Sequence, residues 1–308
     1  MEQRELGKTG LKISTLGYGC ASYWGMPYYS EKEATELVRY AVDQGVNFFD
    51  TGHSYSLGNA EPRLGRILKS LPSSVRNSLL ISTKAGTKNG KYGSLYKDYS
   101  PSWIKQSIEQ SLRQLGLENL PILHLHGPSL VQLTDELFYM LSDLKKQGLI
   151  KALSINSFDI PIIEATLNYP TVDCVMLDYN IMKQDREPLI DRLALAGKGI
   201  IGGGALANHA YVHPLKKMRG LRDCWYLLRA MKNHRKAIKK AEVFTWINNV
   251  EGFSPNQIAL SFANANPKIN CSVFGTTRMN HLKENIESLK VKLPPEIYAR
   301  IRVSGVSK

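Results

Sequence analysis

Behind a short amino-terminal hairpin, one pattern recurs eight times along the chain: an apolar run that stops at a polar or small residue, then a longer stretch whose apolar side chains lie about one helical turn apart. The hairpin covers residues 3 to 16, alternating about a Lys8-Thr9-Gly10 turn. Strands are expected at 14–19, 46–50, 79–84, 121–126, 152–156, 173–179, 199–203 and 270–274. Helices are expected at 32–44, 59–70, from Ser100-Pro101 to near Gly116, and at 133–147, 159–168, 187–197, 255–265, 280–289 and 294–303. Eight βα units with no Gly-, Ser- or Pro-rich linker predict one α/β domain over residues 1–308. Its expected form is a (β/α)8 (TIM) barrel with an N-terminal β-hairpin, rather than an open doubly wound sheet.

Composition narrows the function more than the fold. The chain has 308 residues, begins without an apolar leader-like run and contains no unbroken apolar stretch of membrane-spanning length, so a cytoplasmic location is expected. Cys20, Cys174, Cys224 and Cys271 are scattered without a CxxC pair, which argues against a disulfide framework or a zinc ribbon. The formal charge of +13 is concentrated: ten basic residues and one acid lie between Lys216 and Lys240, inside a basic helical insertion placed at about 207–250, after the seventh strand. Aromatic residues seldom interleave with these charges, so nucleic acid is not expected as a partner, and the lack of a spanning apolar stretch argues against a membrane. A solvated helix with one apolar stripe is the plainer reading of that segment.

The chemistry sits where strands end. In a barrel the C-terminal strand ends share one face, so residues distant in sequence meet there. Asp50 closes the second strand, and Tyr55 stands five residues on, in the loop. Lys84 closes the third strand after Leu79-Leu-Ile-Ser-Thr. His126 closes the fourth, in Ile122-Leu-His-Leu-His-Gly-Pro. Alone, an aspartate at a strand end caps a turn and a loop tyrosine is a rim residue; together with a lysine and a histidine they can move a proton to or from an oxygen on carbon. A free tyrosine ionises near pH ~10. A neighbouring ammonium favours its phenolate, and Asp50 would hold Lys84 charged and in place.

At these residues the chain resembles the aldo-keto reductases, over nearly its full length. The resemblance rests on the hairpin, Asp50-Thr-Gly-His-Ser-Tyr55 with Gly58 to Glu61, Ser82-Thr-Lys84, Leu125-His126-Gly-Pro128, and the run from Phe274-Gly-Thr-Thr-Arg278 to Glu284-Asn285. It implies a barrel that binds NADPH/NADP+ and transfers hydride to an aldehyde or ketone, or from the alcohol in reverse. Tyr55 would be the general acid, Lys84 would lower its pKa, Asp50 would pair with Lys84, and His126 would orient the carbonyl. Asn156 and Ser157 would hold the nicotinamide carboxamide in the order opposite to the common Ser-Asn, with Met176 where many members carry glutamine and Tyr179 as the stacking ring. Gly204 and Leu206 stand where a Ser-Pro-Leu loop meets the pyrophosphate. Thr276 and Arg278 suit a 2′-phosphate, and Glu284 with Asn285 suits the adenine amine.

For the substrate pocket, Tyr23, Trp24 and His53 are expected on the wall, with the aromatic loop around Tyr28 and Tyr29 and the polar loop from Lys88 to Tyr99. Three rival readings remain in view. His53, His124 and His126 could ligate a metal in a barrel hydrolase, although no carboxylate stands on the last strand; otherwise His124 is a satisfied interior histidine, and no metal site is expected. Gly202-Gly-Gly204-Ala-Leu-Ala207 matches a loose dinucleotide fingerprint, but His209 and His213-Pro214 break the helix it needs. Finally, the same fold could serve as a non-catalytic NADPH-binding regulatory module. Neither the individual substrate nor the oligomeric state is legible.

Overall fold

The computed structural model describes residues 1–206 and 241–306. Strands β1 (Gln3–Glu5) and β2 (Lys12–Ser14) form the antiparallel hairpin, with Arg4 opposite Ile13. Then follow β3 (Leu16–Gly19), helix α1 (Glu31–Asp43), β4 (Phe48–Asp50), α2 (Ala60–Lys69), α3 (Ser73–Ser78) and β5 (Leu80–Ala85). A second hairpin comes next, β6 (Thr87–Asn89) with β7 (Leu95–Lys97). The alternation resumes with α4 (Pro101–Leu115), β8 (Leu120–His126), α5 (Asp135–Lys146), β9 (Ile150–Asn156), α6 (Ile160–Ala165), β10 (Cys174–Asp178), α7 (Glu187–Leu195) and β11 (Gly199–Gly203). After the segment outside the described residues come α8 (Pro255–Ala265), β12 (Cys271–Phe274), α9 (Met279–Glu287) and α10 (Pro295–Val306).

The eight strands β3, β4, β5, β8, β9, β10, β11 and β12 close in that order into a parallel barrel, β12 pairing back onto β3 through Ser272 and Leu16. Two apolar clusters follow from the period-two alternation of strand side chains. Phe48, Ile122, Ala152, Cys174, Met176, Ile201 and Cys271 fill the interior, and Leu6 and Ile13 of the first hairpin close it from below. Phe49, Ile81, Leu123, Leu153, Val175 and Ile200 face the helices. Burying each such side chain contributes about 1.5–3 kcal/mol. Phe48 points inward and Phe49 outward, so Asp50 is inward again. A one-residue slip of β4 would bury that carboxylate in the apolar helix layer, which is why the register is firm.

Helix starts follow their sequence signals. Ser30, Ser100, Thr134 and Ser254 each accept a backbone N–H three residues on, and Ser254 with Gln257 makes a full capping box. Gly116 ends α4 in the left-handed region, at φ 66°. Two expectations change. Residues 87–97, read as part of an irregular loop, form the β6–β7 hairpin, whose turn at 90–94 is left-handed at Tyr92 and Gly93, φ 57° and 74°. The expected helix at 159–168 shortens to α6, followed by a 3-10 turn at Thr166–Asn168. Most of the basic insertion, with Cys224 and the Ala207-to-Asp223 end of the fingerprint, lies outside the described residues. Its last part, Glu242–Asn249, is a 3-10 helix that buries Phe244 and Ile247. Gly202 and Gly203 are the end of β11, not the entry to a helix. Among the described residues, no helix is long and apolar enough to cross a membrane.

Candidate active site

Parity on neighbouring strands brings Asp50, Lys84 and His124 to one side of the barrel wall. Asp50 pairs with Ser82 across β4 and β5, Lys84 with His124 across β5 and β8, and His126 with Asn156 across β8 and β9. Lys84 is 3% exposed, and its Nζ donates to Asp50 Oδ1 at 2.5 Å, to Oδ2 at 2.6 Å and to the Thr51 carbonyl at 2.7 Å. The Ser82 hydroxyl donates to Asp50 Oδ1 at 2.7 Å. Burial pushes the Lys84 pKa down, but the charges of Asp50 and Tyr55 and hydrogen bonds to both outweigh it, and the net direction is upward. The ammonium is therefore retained in the interior.

Its Nζ lies 4.7 Å from the centroid of the Tyr55 ring, and that ring meets His126 edge to face at 5.6 Å. Tyr55 is carried by a strained turn: Ser56 and Leu57 have φ of 54° and 60°, a left-handed geometry that costs such residues about 1 kcal/mol or more each. The Ser56 hydroxyl ties this turn to the Ser22 carbonyl at 2.7 Å. Gly52 lies against the Tyr55 ring, where a Cβ would meet it at 3.2 Å.

His126 is positioned by residues that the sequence reading left unassigned. Its Nδ1 is 3.2 Å from the Thr87 hydroxyl, which itself accepts from Lys97 Nζ at 3.0 Å. With the hydroxyl donating to Nδ1, the ring proton sits on Nε2, a donor available to a carbonyl oxygen. The His126 carbonyl accepts from Lys97 Nζ and from the Tyr99 hydroxyl, the latter at 2.6 Å. Burial, then the charges of Lys84 and Lys97, lower the His126 pKa to about 3, so the imidazole is neutral across the physiological range. The set can supply a phenolic proton, an adjacent fixed ammonium and a neutral hydrogen-bond donor to one oxygen.

Other expected residues divide. Asn156 and Ser157 are buried at the end of β9; Asn156 Nδ2 reaches the Met176 carbonyl at 3.5 Å, and Ser157 Oγ accepts from Asp159 N at 3.1 Å. Gly204 is exposed, with φ 63° and open space where a Cβ would stand, and its carbonyl accepts from Asn180 at 2.9 Å. Leu206 is buried behind it. Thr276 and Arg278 are half-buried at the entry to α9, where Thr276 Oγ1 accepts from Arg278 N at 3.2 Å. On that helix Glu284 is half-buried, while Asn285 is 1% exposed with no hydrogen bond to either amide atom among the described residues.

Four placements depart from expectation. Tyr179 is not an open stacking face: it is fully buried, its ring lies against Phe262 at 6.0 Å and its hydroxyl donates to Glu187 at 2.6 Å. Trp24 is core, 1% exposed beside Arg63, whose guanidinium lies 5.9 Å from its ring and donates to its carbonyl; Tyr23 remains half-buried. A ring of that size recovers more from burial than from a wet rim. His53 turns away from the barrel interior toward Glu61, Nδ1 to Oε2 3.6 Å, at the edge of a cavity of about 500 Å³ that also takes Leu57, Lys88 and Trp103. Glu61 is the residue to which outward-facing Thr83 donates. His124 is interior but not satisfied, its nearest acid being Asp50 Oδ1 at 3.7 Å. His53, His124 and His126 thus face Glu61, Asp50 and Thr87 respectively, and do not converge.

Comparison with known proteins agrees with this architecture. The profile of the Aldo/keto reductase family matches residues 15–304. L-galactose dehydrogenase of Arabidopsis thaliana is 29% identical over 299 residues, which are 94% of this chain and 88% of the relative. An uncharacterized oxidoreductase of Bacillus subtilis (strain 168) is 23% identical over 95% of this chain and 92% of its own length. Among solved structures, an aldo-keto reductase from Bacillus halodurans in its holo form superposes with a TM-score of 0.81 at 23% identity, covering 99% of this chain and 96% of that one.

Proposed function

The chain belongs to the aldo/keto reductase family, and from that premise we propose that it is an NADPH-dependent oxidoreductase that reduces an aldehyde or ketone to the alcohol, or runs the reverse oxidation. The observation that carries this reading is the buried Lys84 ammonium, clamped by both Asp50 oxygens and set 4.7 Å from the Tyr55 ring.

Bound NADPH supplies the hydride. Tyr55 supplies the proton to the carbonyl oxygen as charge develops there, and Lys84 stabilises the phenolate that remains. Asp50 acts only through Lys84, holding its charge and direction. His126 donates from Nε2 to the same oxygen and fixes the carbonyl against Tyr55. Residues after the other strand ends and on α9 fit the cofactor chemically: Asn156 and Ser157 for the carboxamide, exposed Gly204 with Leu206 for the pyrophosphate, Thr276 and Arg278 for a 2′-phosphate, Glu284 and the Asn285 amide for adenine. The unpartnered, buried Asn285 amide supports that fit.

The test is Tyr55→Phe, assayed by NADPH oxidation over a panel of aldehydes and ketones and, separately, by NADPH binding. Turnover should fall by about 10²–10⁴-fold, the range for a lost general acid, with cofactor affinity retained. An undiminished rate would remove Tyr55 from the role. Tight NADPH binding by the unaltered protein, with no turnover of any carbonyl or alcohol, would leave the non-catalytic binding module.

A further inference from the structure

The reading above leaves Lys97 with one function, that of bracing His126, and its surroundings give it more than that requires. Lys97 ends β7, opposite Thr87 in the hairpin register. Two of its three N–H groups go to the Thr87 hydroxyl and the His126 carbonyl, neither of them an anion. The adjacent carboxylate, Asp98, is taken: Lys88 Nζ holds its Oδ2 at 2.5 Å, and the Ser100 amide and hydroxyl hold Oδ1 at 3.0 and 2.6 Å. Asp50 is occupied by Lys84 and Ser82. Among the described residues no acid pairs with Lys97, although it sits one hydroxyl away from the imidazole that faces the reacting oxygen.

Lys97 is exposed along its side chain, while partial desolvation of its ammonium lowers its pKa and no acid among the described residues restores it. A neutral donor suffices to brace the His126 carbonyl, as the Tyr99 hydroxyl already does. What a cation adds is attraction for an anion that arrives with the substrate.

We infer that Lys97 is a specificity residue that binds an anionic group, carboxylate or phosphate, carried by the carbonyl substrate close to its reacting carbon. The third N–H of its ammonium is the donor for that group, and Thr87 keeps the ammonium and the His126 ring in a fixed relation. The substrate class is then a short oxo acid or an aldehyde bearing a carboxylate or phosphate, in preference to a neutral carbonyl of the same size. This rests on the proposed carbonyl chemistry and names its substrate.

The experiment compares three aldehydes of similar size, one neutral, one with a carboxylate and one with a phosphate, on the full chain with NADPH. The variants are Lys97→Met, Lys97→Arg and Thr87→Val. Lys97→Met should lower the ratio of kcat/KM for the better anionic aldehyde over the neutral one at least tenfold, mainly through KM, and Lys97→Arg should restore most of it. Thr87→Val, which loosens His126 without removing the charge, should slow all three aldehydes while leaving the ratio within about twofold. The two anionic arms tell carboxylate from phosphate. If Lys97→Met slows all three aldehydes in parallel, Lys97 only braces His126 and the inference is overturned. If the unaltered protein turns over none of a wide carbonyl panel, the functional reading fails and this inference falls with it, a result distinct from a parallel loss.

Discussion

At the scale of the residue, the centre is a buried ion pair whose partners cannot be removed singly without consequence. Asp50 is 5% exposed, and Lys84→Met would leave its carboxylate with Ser82 as its one hydrogen-bond donor among the described residues. Breaking a buried pair this way costs about 3–5 kcal/mol. Lys84→Met should therefore lower unfolding stability by that order in urea titrations and abolish most turnover. Adding Asp50→Asn should return much of the stability and none of the activity, because the charge near Tyr55 stays absent. A single variant as stable as the parent would mean that the pair does not organise the barrel interior.

At the scale of the element, the β6–β7 hairpin is what converts a histidine at a strand end into an aimed donor. It delivers Thr87 and Lys97 to His126 from opposite strands, and Tyr99 follows from its far end. Gly86 makes the entry possible: its φ is 95°, and a Cβ there would meet the Tyr99 ring at 2.4 Å. Gly86→Ala should push Tyr99 off the His126 carbonyl and lower kcat at least tenfold, since a misplacement of about 1 Å can cost 10²-fold. NADPH affinity, measured by fluorescence titration, should change little, as the residues proposed for the cofactor lie after other strands and on α9. A kcat equal to the parent's would show that the hairpin is not needed to hold His126.

At the scale of the whole molecule, two interior histidines make stability depend on pH. Burial and the nearby Lys84 charge lower the pKa of His124 well below its ordinary value, and that of His126 to about 3. In the unfolded chain both titrate near pH ~6.5. Between those limits the unfolded state binds more protons, so the contribution is fully present above about pH 6.5 and is lost as pH falls. His126 should cost roughly 2 kcal/mol of stability between pH 6.5 and 5, and His124 adds in the same direction. Urea denaturation across that range should show the slope, and His126→Gln should reduce it. A variant with the parent slope would assign the acid sensitivity to other groups.

Much of this could be read along the chain. Strand and helix periods are local properties, so the eightfold alternation favoured a barrel over an open sheet and set Asp50, Lys84 and His126 at strand ends, while closure through β12 onto β3 is a tertiary fact. The order of strands followed from short βα connections. Only the tertiary structure decided where large or amphipathic side chains turn, because their partners are remote in sequence. Tyr179 closes on Phe262 and Glu187, Trp24 on Arg63, His53 on Glu61, and none of these pairings leaves a periodic trace. The hairpin that supports His126 was read as a polar loop; Gly90 and Gly93 stand at its turn, but its purpose left no local sign. That purpose exists only when Thr87 and Lys97, set opposite by the turn, are folded against a strand that begins beyond the next helix.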